Sequence, residues 1–268
     1  MMTTLHAYID GIGLLGPGLG GWAQGRLVLA GDQPYAAAKT ALPAPAMLPA
    51  AERRRSGPLV RVALAVGVEA GEGWDLAQLA TVFSSSGGDG VNCHELCEML
   101  ASNDRQVSPT RFHNSVHNAA AGYWSIGAGA MATASVLCAH DGSFGAGLLE
   151  ALAQVAVDGV PVLLIAADTA YPEPLHGARP IPDEFGIGLL LSPKQGPRSV
   201  ARIGAALSGL PPTSMAHPAL EALRGAIPAA RSLPLLDAIA RGNAAAVVLD
   251  YLAHSRLALD VAPCEAAA

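Results

Sequence analysis

Cys138 is the side chain with the most chemical potential in this sequence. It follows the apolar run Ala132 to Leu137 and precedes a helical pattern opening near Asp141 and Ser143. A thiol between a strand and a helix can be activated by helix N-terminal amides, which favour the thiolate. The bland alternative is a small residue closing a strand. His140 lies two positions on, so an extended segment would turn both side chains to one face. His113 and His117 are four apart, a spacing that brings side chains together on a helix, but without a third ligand or an acidic partner in sequence a hydrogen-bonded structural role fits them better. Asp141-Gly142-Ser143-Phe144-Gly145 stands where a hydrolase would carry its nucleophile elbow. That motif wants glycine two residues before the serine, and Asp141 occupies the position, so Ser143 reads instead as a helix cap. Cys93, His94 and Cys97 lack a second ligand pair at zinc spacing, and no metal is expected. Gly11-Ile12-Gly13-Leu14-Leu15-Gly16 matches a dinucleotide fingerprint, which needs a helix opening at its glycines. Pro17, Gly18, Gly20 and Gly21 delay any helix, and Asp32, at the distance of a ribose-binding carboxylate, sits in a turn. An oxidoreductase reading would rest on these glycines alone.

The elements that must position these residues alternate. Strands are predicted over His6–Leu15, Leu79–Phe83, Ala132–Leu137 and Val160–Ala166. Helices are predicted over Ala51–Ala70, over Asn92–Leu100, from about Asn118, and from Asp141 or Ser143 to about Val157, where Asp158-Gly159 ends the last one. Residues 32–50, rich in Pro and Ala, read as a surface loop. Uniformly apolar strands between helices point to a sheet covered on both faces. The last hundred residues read differently: strands over Gly186–Leu191 and Ser199–Ala206, helices over Pro218–Ile227 and Leu233–Ala240. Ala245–Tyr251 and Leu257–Val261 are either two strands or a strand and a helix. Pro172–Pro182 is the candidate linker or flap.

Composition narrows the function classes. Of 268 residues, 51% are hydrophobic and only 14% charged, with a net charge of −6. A surface this poor in charge suggests that a partner covers part of it. The single basic cluster, Arg53-Arg54-Arg55, reads as a solvated helix end that could also meet an acidic carrier protein. It lacks the concentrated positive face of a nucleic-acid binder. The N-terminus has neither a basic leader nor an apolar core, no apolar run is long enough to span a bilayer, and four cysteines make no disulfide framework. The expectation is a cytoplasmic protein with no membrane insertion and no nucleic-acid partner.

Several segments together resemble the β-ketoacyl synthases. His6 to Gly16 with Gly18 and Leu29-Ala30-Gly31 is similar to their opening strand, turn and helix. Phe112, Ser115, Asn118, Ala121-Gly122 and Ser125-Ile126 match their F-x-x-S-x-x-N-x-x-A-G-x-x-S-I segment. The likeness extends over about residues 5 to 170. Within the family it is nearest the short ketosynthase-like N-terminal-domain proteins, the chain-length factors of aryl polyene and xanthomonadin-type pigment clusters, through Ser108 to Asn118 and Asp141 to Phe144. The resemblance implies an α/β, thiolase-like (ketosynthase) α-β-α sandwich, its first half (1–170) complete and its second (171–268) reduced to a portion packing on the first. It implies a heterodimer with a full-length ketosynthase, through which an acyl carrier protein would deliver acyl groups, and no cofactor. Phe112, Asp141, Gly142, Ser143 and Phe144 would then stand at the acyl channel or the elbow, with Cys138 in or near the nucleophile position. Counting from Gly129 places that position on Cys138, whereas counting back from Gly159 places it on Gly142. The second half has no counterpart of the segments that give active synthases their histidines; His176, His217 and His254 stand in unrelated contexts. A non-catalytic partner subunit is therefore the first expectation, and acyl transfer through Cys138 the alternative.

Overall fold

The computed structural model describes residues 4–264 except Asp104; the reading of Met1 to Thr3 as leaderless lies outside the described residues. The chain forms β1 (Leu5–Leu15), α1 (Trp22–Ala30), α2 (Ala50–Arg55), α3 (Pro58–Ala70), β2 (Ala80–Ser84), α4 (Gly90–Ala101), α5 (Pro109–His113), α6 (Ala119–Ala128), β3 (Ala134–Leu137), α7 (Ser143–Asp158), β4 (Val162–Asp168), α8 (Leu175–Ala178), β5 (Phe185–Ser192), β6 (Ala201–Ser208), α9 (Pro218–Ala226), α10 (Leu233–Arg241), β7 (Ala245–Leu252) and β8 (Ser255–Pro263). Short 3-10 turns occupy His140–Gly142 and Pro228–Ser232.

All eight strands make one sheet in the order β3-β2-β4-β5-β1-β6-β8-β7. β3, β2 and β4 run parallel, and the remaining pairings are antiparallel. Every residue of β4 and β5 is buried, as the uniformly apolar sequence of β4 demands of a strand covered on both faces. One face carries α3 and α6, with Leu59, Val66, Trp124 and Ile165 in a common core. The other carries α1, α7, α9 and α10, where Phe144, Leu148, Leu152 and Leu235 pack on Leu164 and Leu189. The last three strands extend the same sheet outward from β1. Ala245–Tyr251 and Leu257–Val261, which the sequence left open, lie in β7 and β8, an antiparallel strand pair.

The helix expected over Ala51–Ala70 is two helices. Pro58 has no N–H to give a preceding turn and stands at the first position of α3, so the chain breaks at Ser56-Gly57. The loop before α2 is pinned to α3 by Arg61, which donates to the carbonyls of Leu42 (2.6 Å) and Pro43 (3.2 Å). Met47 and Leu48 from this loop pack on Gly127 of α6.

The glycine motif of β1 has a packing role. Gly11 and Gly13 lie inside the strand, and α1 begins only at Trp22. A Cβ on Gly13 would overlap the Val66 carbonyl, standing 2.8 Å from its carbon. One on Gly11 would meet the Ala70 carbonyl in the same way. Gly188, paired with Gly13 across the β1–β5 ladder, also faces Val66. These glycines let α3 approach the sheet to backbone contact, and among the described residues no helix opens at them as a dinucleotide would require.

Candidate functional site

The C-terminal ends of β2, β3 and β4 converge on the turn between β3 and α7. Cys138 is the first residue past β3 and is exposed. Its thiol donates to the carbonyl of Ser86, 3.3 Å away, in the loop after β2. Beside it, His117 places Nε2 3.2 Å from the carbonyl of Ser85. Both side chains therefore bracket the serine-rich loop, and the thiol has no hydrogen bond to an imidazole among the described residues.

Two pairings expected from spacing do not form. α5 ends at His113 and the chain turns through Asn114–Asn118, so the helical i, i+4 geometry is absent. His113 instead packs edge-on against Tyr123, ring centroids 6.1 Å apart. Cys138 and His140 do not lie on one extended segment either, because His140 adopts a left-handed backbone (φ 50°) and enters a 3-10 turn.

The elbow residues are each engaged elsewhere. Ser143 starts α7 but does not cap it: its hydroxyl accepts from the Ala139 N–H (3.0 Å) and donates to the His140 carbonyl (2.7 Å). Ser84 Oγ donates to the Ser143 carbonyl at 2.5 Å. Asp141, expected as a cap type, holds two cations instead, Arg179 at 2.6 Å and Arg231 at 2.9 Å, with His140 Nδ1 at 3.4 Å. Arg231 continues to Asp250 (3.1 Å), which binds Arg224 (3.1 Å), which binds Glu221 (2.6 Å). Burial pushes the Asp141 carboxyl up, but the two guanidinium groups and His140 outweigh it and hold its pKa below the usual range.

The first turn of α7 is covered by the chain itself. A Cβ on Gly142 would overlap the Tyr251 carbonyl, and one on Gly145 the Asp250 carbonyl, so the end of β7 rests directly on these glycines. Phe144 is 1% exposed in the main core, whereas Phe112 is 69% exposed on α5. The two phenylalanines thus differ in environment, one in the core and one at the surface.

Asp168, at the end of β4, was invisible as a site residue. It is fully buried, accepts from the backbone N–H groups of Ser86 (2.8 Å) and Ala229 (2.8 Å), and burial raises its pKa against those hydrogen bonds. It ties the loop carrying the Ser86 carbonyl to the turn before α10. The one available signal was a carboxylate closing an otherwise apolar strand.

The arrangement offers one thiol, a buried carboxylate and a chain of ion pairs, with no imidazole pair at the thiol among the described residues. No helix among those residues is long and apolar enough to cross a membrane.

Comparison with curated proteins finds no match. Among solved structures, one of a ketosynthase (ApeO) in complex with its chain length factor (ApeC) from Xenorhabdus doucetiae is similar, with a TM-score of 0.73, 23% identity, and coverage of 96% of this chain and 99% of that chain. The ishigamide ketosynthase/chain length factor is similar at TM-score 0.70 and 14% identity, covering 97% and 99%. AntDE:AntF, a type II acyl-carrier protein in complex with its ketosynthase, follows at 0.73 and 10%, covering 98% and 100%. At these identities the likeness establishes the fold, the thiolase-like ketosynthase fold expected. The family model for the β-ketoacyl synthase N-terminal domain matches residues 29–227, most of the sequence. The chain belongs to the β-ketoacyl synthase N-terminal domain family.

Proposed function

We propose that this chain is a chain-length-factor-type subunit that pairs with a full-length ketosynthase in polyketide or fatty-acid-type biosynthesis, of the kind that makes polyene pigments, and does not itself catalyse condensation. The observation that carries the reading is the state of the elbow. The thiol of Cys138 is turned to a backbone carbonyl, the Asp141 carboxylate is committed to two arginines, and the end of β7 lies on the first turn of α7. Oxyanion and general-acid groups each supply roughly two to four powers of ten in rate. A thiol without them can be acylated but turns over slowly.

The partner's seat on this reading is the free edge of β3. The carbonyls of Thr133 and Leu137 accept from β2, so by strand alternation the peptide groups of Ala134 and Val136 point outward. Exposed Met131 shortly precedes this strand, and Phe112, Val116 and Ile126, also exposed, lie earlier in the chain on and after α5 and on α6. At the opposite end of the sheet, the edge strand β7 is capped at its middle, where Thr213 exchanges hydrogen bonds with Val248 (2.8 and 2.9 Å). That contrast favours β3 as the pairing edge. The acyl carrier protein would then reach the complex through the ketosynthase.

Val136→Pro tests the reading, because it removes an outward N–H while sparing the β2 ladder. Co-purification with a ketosynthase from the same gene neighbourhood should be lost while the circular dichroism of the free chain is retained. Cys138→Ala should leave condensation of malonyl-carrier substrate by the heterodimer within a few-fold of wild type. Condensation by the purified chain alone, abolished by Cys138→Ala, would establish the acyltransferase alternative instead.

A further inference from the structure

A cavity of about 530 Å³ lies at the end of β4 away from the elbow, where Pro161 leads into the strand. Small-molecule sites occupy roughly 300–1,000 Å³. Two turns build its walls. In the turn after α3, Gly73 takes a left-handed backbone (φ 75°) and the Trp74 N–H donates to the Gly71 carbonyl (3.0 Å). In the loop from β5 to β6, Pro193 and Pro197 restrict the backbone. Between them and β6, the Gly196 N–H donates to Ser199 Oγ (2.8 Å) and the Ser199 N–H to the Gly196 carbonyl (3.1 Å). Arg198 ties the two turns together: it donates to the Glu72 carbonyl, and its guanidinium lies on Gly73, where any Cβ would collide with it.

The lining offers three kinds of surface. Trp74 and the prolines 161, 193 and 197 present flat apolar faces. Lys194 and Arg198 are exposed cations, and neither pairs with a carboxylate among the described residues. Asp10, which also lines the cavity, is 9% exposed and is held by hydroxyls instead of cations, Ser192 Oγ at 2.5 Å and Ser199 Oγ at 2.6 Å. Its carboxylate oxygens each have a further lone pair, so it retains capacity to accept from a donor in the cavity. The positive charge at the rim is therefore not consumed within the chain.

These surfaces together are complementary to one class of molecule. An inorganic anion would use the cations and leave the indole and prolines idle, while an uncharged apolar compound would do the reverse. We propose that the cavity binds a planar aromatic anion, with its ring against Trp74 and the prolines and its carboxylate or phosphate on Lys194 and Arg198. A hydrogen-bond donor on the far side of the ring finds its acceptor in Asp10. The hydrogen-bonded turns are already ordered, which lowers the cost of binding. Neither the thiol nor β3 takes part, so occupancy of this site is independent of the subunit role proposed above.

Isothermal titration calorimetry on the full chain tests this with naphthoate and adenosine monophosphate, which carry ring and anion from two sources. At least one should bind at a single site with a dissociation constant below about 1 mM, and the tighter one identifies the source. Inorganic phosphate and the uncharged naphthyl alcohol should each bind at least about tenfold more weakly, for want of the ring or of the charge. Lys194→Gln and Arg198→Gln should each weaken the ring anion about tenfold, the loss of one charge-assisted hydrogen bond. Lys194→Gln leaves the tie between the turns in place, so its effect reports charge and not folding. Trp74→Leu should also weaken binding about tenfold by removing the stacking face, with a thermal melt checking that the chain is folded. Arg26→Gln, which removes an exposed cation on α1, should change nothing. Absence of binding by both ring anions, phosphate binding as tightly as they do, or an affinity unaltered by Lys194→Gln would each overturn the proposal.

Discussion

Gly13→Ala separates the packing role of the β1 glycines from a nucleotide-binding one by the sign of its effect. Gly13 has an ordinary extended backbone, so alanine imposes no backbone strain. By restricting the unfolded chain the substitution should even stabilise by about 0.4–1 kcal/mol if space were free. Space is not free. The new Cβ would overlap the Val66 carbonyl oxygen and stand 2.8 Å and 2.9 Å from its carbon and Cα. The obstacle is the backbone of a buried helix, with no flexible end to yield. Overpacking of this kind costs about 1–3 kcal/mol or more, and the upper part of that range applies, so the net loss should be about 2 kcal/mol. At about 2–4 °C per kcal/mol for a chain of this size, the melting temperature should fall by about 4–8 °C. Urea unfolding followed by tryptophan fluorescence reads this directly, because Trp124 packs in the same core as α3. Gly20→Ala is the control, since a Cβ there meets nothing within 4 Å. Gly13→Ala as stable as wild type, or Gly20→Ala equally damaging, would refute the packing argument.

The ion-pair chain supplies two more expectations. Asp141→Ala leaves Arg179 with only its contacts to Tyr171 and Arg231 with only Asp250 as an acidic partner; with Asp141 43% exposed, solvent screening limits the loss to about 1–2 kcal/mol in urea unfolding. Arg179→Ala added to Asp141→Ala should cost little further, and full additivity would mean the pair is not coupled. The Glu221 carboxyl is held down to about 2 by its hydrogen bonds with Arg224, against the effect of burial. A depressed folded pKa gives stability that is present above the unfolded value of about 4.5 and lost as pH falls towards 2. Glu221→Gln should therefore flatten the acid limb of the stability curve between those values, measured by thermal melts from pH 6 to pH 2.5, and an unchanged limb would count against the pairing.

The sheet was legible wherever burial alone decides an element. Val160–Ala166 reads as a covered strand because no other place suits seven apolar residues in a row, and β4 lies there. The pieces that failed depend on partners distant in sequence. Asp141 looks like a helix cap in its local context, and only the return of Arg179 and Arg231, 38 and 90 residues away, recruits its carboxylate. Gly11 and Gly13 mimic a phosphate loop locally, and the helix that needs their missing side chains is more than fifty residues downstream. His113 and His117 have helical spacing without a helix, because α5 stops where Asn114 buries its amide against the Arg55 carbonyl (2.8 Å). The resemblance to ketosynthases succeeded in the same region because it compares whole segments and needs no pairing to be guessed.

The unequal ends of the sheet also bear on stoichiometry. A tile with one receptive side and one finished side can be joined only once. On the proposed pairing through β3, two chains would exhaust each other's capacity for further strand addition, and the product would be a closed pair rather than a fibre.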